Sequence, residues 1–184
     1  MPMKRPWRTW LLALLLAVGP VGSALATHAN HGKGPRVGVL VSDLRNPFFA
    51  YIARAVETTL AADSRNAAHI TVVSSGFDPQ RQDEQLKEMI RQRVQLVIVT
   101  PVDSTTLHAR VTEARAAGIK VVAVDALVQG ADAAVVTDSR AAGKLSCEHL
   151  VRTLGGKGEV AIIDGPPNTA AVGRVNGCRE ALNA

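Results

Sequence analysis

Short apolar, β-branched runs recur along this chain, at Val37–Val41, Ile70–Val73, Leu96–Val99, Val121–Val124, Ala134–Val136 and Val160–Ile163, with stretches of helical periodicity between most of them. The runs are continuously apolar and do not alternate, which is the pattern of strands covered on both faces. Run starts near 37, 70, 96 and 120 are a few tens of residues apart, the length of a strand-helix-strand unit. Such units close economically as a parallel sheet with helices on both sides. The expected architecture is therefore α/β, two-lobed, with doubly wound parallel sheets.

Helix boundaries in this pattern have chemical reasons. Asn46 can cap a first helix opened by Pro47, and Asp78 can cap a second opened by Pro79, because proline suits a position whose N–H has no partner. Leu86, Met89 and Ile90 give the second helix an apolar face, and Gly118 follows a third that carries Leu107, Val111 and Ala114. Asp138 or Ser139 can cap a fourth, closed by Gly155-Gly156. The run Gly155-Gly156-Lys157-Gly158 lacks the spacing and the hydroxyl residue of a phosphate loop and is read as a turn.

The rhythm breaks at Val128–Ala133, which is too short to hold a crossover helix, whereas parallel neighbours in one sheet need a dozen or more residues between them. The sequence thus predicts a first lobe over 36–125, a hinge over 126–133, and the start of a second lobe over 134–184. That second lobe has only two strand candidates and reaches Ala184 within a helix containing Val172, Val175, Cys178 and Leu182, so a partial chain is expected.

Residues 1–26 have a basic start (Lys4, Arg5, Arg8), an apolar run from Leu11 to Val18, and small residues at Ala24 and Ala26. This is the plan of a secretory signal cleaved after about Ala26, and the apolar run is shorter than the roughly 20 residues of a membrane span. Residues 27–35 read as a flexible leader in which His28 and His31 have no further metal ligand nearby. The formal charge of +5 falls to +2 without the signal, which leaves no basic patch for a nucleic acid. A periplasmic location follows as an expectation. Cys147 and Cys178 are the only thiols. An even count in an exported chain favours a disulfide, while consecutive helices on opposite faces of a sheet would hold the two apart; both outcomes stay open, with the balance against the bond.

In open α/β sheets ligands bind outside the carboxyl ends of the strands. Those ends present Ser42, Asp43, Arg45 and Asn46 after the first run, with Ser74, Ser75 and Asp78 after the second. Thr100, Asp103 and Ser104 follow the third, Asp125 the fourth, and Asp164, Asn168, Thr169 and Arg174 the last. Such a set, with Phe48 and Phe49 beside it, suits a polyhydroxylated ligand whose hydroxyls need donors and acceptors and whose C–H faces need an aromatic wall. Asp103, Ser104, Asp138 and Asn168 are equally explained as caps or turn residues. The sequence holds no Gly-x-Ser-x-Gly, His-Glu-x-x-His or Gly-x-Gly-x-x-Gly motif, so it points to no enzyme and no cofactor.

The leader, Ser42-Asp43-Leu44-Arg45-Asn46-Pro47-Phe48-Phe49, Val124-Asp125, Thr137-Asp138 ahead of Ala142-Gly143, and Asn168–Gly177 with Arg174 together resemble the periplasmic sugar-binding proteins of the ribose-binding type. That family also resembles the effector domains of lac-repressor-type regulators, whose DNA-binding segment would stand where this chain has its signal. The resemblance implies a sugar or related polyol held between two lobes and delivered to the membrane permease of an ATP-driven (ABC) importer, with a chemoreceptor or sensor kinase as the other partner type. It also implies that Asn46 bonds sugar hydroxyls, that Phe48 and Phe49 pack on the ring, and that Asp125 accepts and Arg174 donates from opposite sides, with Asp43 a further candidate. Ala126 stands where the ribose pattern commonly has arginine, which leaves the identity of the sugar open.

Overall fold

The computed structural model describes residues 34–62 and 67–184; the expected signal and most of the leader, including His28 and His31, lie outside the described residues. The elements are β1 (Arg36–Val41), α1 (Pro47–Ala62), β2 (His69–Ser74), α2 (Pro79–Arg91), β3 (Leu96–Val99), α3 (His108–Ala116), β4 (Lys120–Asp125), β5 (Ala133–Val136), α4 (Ser139–Thr153) and α5 (Thr169–Leu182). The strands form one parallel sheet in the order β2-β1-β3-β4-β5.

Because side chains alternate across a strand, each apolar run serves two cores. Leu40, Val97, Val99, Val121 and Ala123 face α2 and α3, where they meet Leu86, Met89, Leu107 and Val111. Val37, Val39 and Val41 face α1 and pack with Phe49 and Ala53. The interior strand β1 is closed to solvent on both sides, as the continuous run predicts, each such side chain contributing about 1.5–3 kcal/mol of burial. The caps stand where expected. Asn46 Oδ1 accepts from Phe48 N (3.0 Å) ahead of Pro47, and Asp78 Oδ1 accepts from Gln80 N and Arg81 N. Asp138 and Asn168 take Ala141 N and Ala171 N, and Gly118 follows α3 with φ of 82°.

The carboxyl ends of β1, β2 and β3 are tied by a buried polar cluster. Ser42 N donates to Thr100 Oγ1 (2.8 Å), Ser42 Oγ to Thr100 O (2.9 Å), and Ser75 Oγ to Ser42 O (3.0 Å). Gln82, 1% exposed, completes it by donating to Thr100 O (3.0 Å) and accepting from Val102 N (2.9 Å). These hydroxyls, candidates for ligand contact by sequence position, are therefore spent internally in holding the strand-end loops together.

Three expectations are corrected. β5 does not leave the first sheet after a hinge at 126–133; it pairs in parallel with β4, Val122 opposite Ala133 and Asp125 opposite Val136. The eight peptide links from Asp125 to Ala133 reach up to about 26 Å, and the retraced part of β4 is only about 10 Å long, so an extended return replaces a helical crossover. That return is anchored by Val128, buried among the α3 side chains, and by Asp132, which donates its N–H to Val121 O and accepts Val121 N–H. Val160–Ile163 is not a strand, because among the described residues it has no strand neighbour, and Ile163 is 98% exposed.

The third correction concerns the cysteines. Without an intervening strand, α4 and α5 pack directly on one another, and Cys147 and Cys178 form a disulfide with Cα atoms 5.0 Å apart. Glycines allow this approach: a Cβ on Gly143 would meet the backbone of Arg174, and one on Gly177 the backbone of Arg140.

Two stability outcomes follow from this packing. Replacing both cysteines by serine frees a loop with a sequence separation of 31 and should lower unfolding free energy by about 3–4 kcal/mol on the chain-entropy model; an unchanged denaturation midpoint after reduction would show that the bond constrains nothing. Gln82→Leu strands Val102 N–H and should cost about 1–3 kcal/mol, read as a lower urea midpoint, and a midpoint equal to wild type would mean that water replaces the amide.

Candidate functional site

The order β2-β1-β3 reverses direction at β1, so a crevice opens outside the carboxyl ends of β1 and β3. The loop at its edge is built by Asp43 and Asn46. Asp43 O accepts from Asn46 N (3.1 Å), and the Asp43 carboxylate accepts from Arg45 N (2.9 Å) and from Arg45 Nε and Nη2 (3.0 and 2.6 Å). These bonds from Arg45 hold the Asp43 carboxyl below the ordinary aspartate range. Asn46 in turn closes the first turn of α1, which leaves adjacent Phe48 and Phe49 pointing in different directions.

Phe48 is 50% exposed and Phe49 only 7%, and their rings meet edge to face at 5.2 Å. Phe49 stacks edge to face with Phe77 as well, at 5.8 Å, so all three phenylalanines of the chain form one cluster. Phe77 sits in a tight turn, Ser75 to Asp78, with φ of 62° after Gly76 at 64°. A bulky side chain in this left-handed region is a costly conformation. It is held by Phe77 N donating to Ser42 O (2.8 Å).

Beyond Phe48 a cavity of about 660 Å³ is lined by Phe48, Asp125, Asp164 and Arg174, together with Ser146 and the disulfide. Asp125 ends β4 at φ of 70°, at the centre of a three-residue turn in which Ala126 N donates to Val124 O (2.9 Å). Burial pushes its carboxyl above the ordinary aspartate range, while the positive charge of Arg174 pulls the other way. Arg174 is exposed on α5 and braced through Nη1 to Ser139 Oγ (3.0 Å) and Ala170 O (3.1 Å). The site therefore offers one aromatic face, an acceptor at a strand end and a fixed cation from the opposite element.

Of the residues singled out by sequence, the fold gathers Phe48, Asp125 and Arg174 around one cavity. Asn46, Asp43 and Phe49 do not line it: Asn46 caps α1, Asp43 is clamped by Arg45, and Phe49 is core. Phe49 stands in the core behind Phe48 and meets its ring edge to face. Ser146 and Asp164 line the cavity from α4 and the α4–α5 loop, and Phe77 buttresses it; with no motif around them, only the scarcity of phenylalanine gave Phe77 any prior signal.

A raised native pKa means that ionised Asp125 costs stability above that pKa, and that this cost vanishes as pH falls through it. Asp125→Asn, which also tolerates positive φ, should be more stable than wild type at pH 7, with the gap narrowing towards pH 4. Urea midpoints at the two pH values check this, and a wild type more stable at pH 7 would refute it.

The model of the periplasmic binding protein domain family matches residues 37–184, and the chain belongs to that family. Its relatives include the ribose import binding protein of Bacillus subtilis, 26% identical over 150 residues that cover 80% of this chain and 48% of that protein. The xylitol-binding protein of Mycolicibacterium smegmatis is 30% identical over 162 residues, covering 84% and 45%. Among solved structures, an ABC transporter solute binding protein from Bacillus halodurans C-125 with bound myo-inositol superimposes with a TM-score of 0.74 at 26% identity, covering 83% of this chain and 54% of that one. Within that family, the relatives it matches include proteins that bind ribose, xylitol and myo-inositol, and the chain spans about half the length of the proteins it matches.

Proposed function

We propose that this protein captures a sugar or polyol in the periplasm, between two lobes, for delivery to the permease of an ABC importer. The observation that carries this reading is the cavity that half-exposed Phe48 lines together with Asp125 and Arg174, three groups from three separate elements. An apolar ring face covers sugar C–H groups, a carboxylate accepts from hydroxyls, and a braced guanidinium donates to ring or hydroxyl oxygens. Asn46, Asp43 and Phe49 take indirect parts, shaping the loop and backing the ring. Since β5 belongs to the first sheet, the lobes divide at Thr137-Asp138 and not at 126–133. A ligand held from both sides of that junction favours closure by its extra affinity for the closed arrangement. The family and its sugar- and polyol-binding relatives support the ligand class.

A thermal-shift screen against pentoses, hexoses and cyclic or linear polyols tests the reading, and no shift with any of them would count against it. With a hit in hand, Arg174→Ala should weaken binding by about 1.5–3 kcal/mol, the range for hydrogen bonds to a charged group. Calorimetric titration giving an unchanged Kd would remove Arg174 from the site.

A further inference from the structure

Among the described residues, helices α4 and α5 pack far more extensively on each other than on any strand or helix of the sheet. Among the described residues, every hydrogen bond joining 138–184 to 34–136 involves Thr169. Its Oγ1 accepts from Leu127 N (2.7 Å), and its own N–H donates to Ser104 Oγ (3.1 Å). No ion pair among the described residues crosses the same boundary.

The placement is selective. Thr169 is the first residue of α5, where a backbone N–H has no partner within the helix. The Asn168 cap is occupied with Ala171 N, so Thr169 N–H is free to reach Ser104 in the loop between β3 and α3. Leu127 lies two residues beyond Asp125, and Arg174 lies five beyond Thr169, about 7–8 Å along the helix. The Leu127–Thr169 bond therefore joins the two segments that carry Asp125 and Arg174. The Leu127 side is itself steadied by His108, whose Nδ1 bonds Gln129 O (2.8 Å), and by buried Val128. Open cavities flank the bridge: one of about 430 Å³ lined by Ser104, His108, Leu127 and Thr169, and one of about 320 Å³ lined by Asp125, Asp138, Arg140 and Thr169. Water reaches both sides, so the bridge can open without disrupting either core.

We infer that Thr169 is a positioning residue, a two-bond latch that seats the start of α5 on Ser104 and Leu127 and so sets how Arg174 stands relative to Asp125 across the cavity. The latch is a matter of this chain's own geometry; only its consequence for ligand affinity rests on the sugar-binding reading.

The test uses the full chain without ligand. Hydrogen exchange is followed at the Leu127 and Thr169 amides, and residual dipolar couplings report the orientation of α5 relative to β1–β4, in wild type, Thr169→Val, Thr169→Ser and Ser104→Ala. Thr169→Val should raise exchange at Leu127 by about tenfold, the upper range for loss of one exposed hydrogen bond, and change the α5 couplings. Thr169→Ser should restore both. Ser104→Ala, which lies outside the helix and keeps Thr169 intact, should raise exchange at the Thr169 amide. Unchanged Leu127 exchange in Thr169→Val, or unchanged α5 couplings with the bond lost, would overturn the proposal. Should Thr169→Val not fold, Ser104→Ala decides: unchanged exchange at Thr169 together with unchanged α5 couplings overturns it. A failed sugar screen would leave these readouts standing, and a failed latch would leave the sugar reading standing.

Discussion

The parallel pairing of β1 with β2 on one side and β3 on the other is the constraint on which the rest of the structure depends. It buries a run of apolar side chains on two faces at once. It also places the reversal of strand order beneath the loop that begins at Ser42. The crevice is thus a topological consequence of how the sheet is wound. The Ser42–Thr100–Gln82 cluster then converts a flexible set of strand ends into a platform, by giving each buried polar group a partner.

On that platform the site combines stable and costly elements. Phe49 and Phe77 belong to the stabilising part, and they hold Phe48 with its face in solvent. Asp125 belongs to the costly part, with a left-handed backbone and a partly buried carboxylate opposed by the Arg174 charge. Costs of this kind gather where a side chain must be presented and not merely packed.

The pair α4–α5 is a second packing unit with its own means of cohesion. Glycines bring the helix backbones together, a disulfide fixes them, and an ion pair between Arg140 and Glu180 bridges their surfaces. Its attachment to the sheet is sparse by comparison, which makes the position of Arg174 depend on few contacts.

Strand runs and helix caps were legible in the sequence because they are local. A β-branched run, an Asp-Pro pair or a glycine after a helix acts on its neighbours whatever the remainder of the chain does. Phe48, Asp125 and Arg174 were legible as strand-end or helix residues resembling a known pattern. The register of β5, the loss of strand structure at Val160–Ile163, the Cys147–Cys178 bond, the inward turn of Phe49 and the role of Gln82 were not. Each depends on what lies opposite in space: a strand edge that accepts β5, the missing neighbour beside Ile163, a helix that meets a helix, a core behind α1, a carbonyl at Thr100. By itself the sequence determined the α/β alternation and the chemical groups at the strand ends, since periodicity and capping are short-range. Only the tertiary structure decided which of those groups face the cavity and which are consumed in holding it open, because that choice is made by long-range hydrogen bonds and packing between segments far apart in the chain.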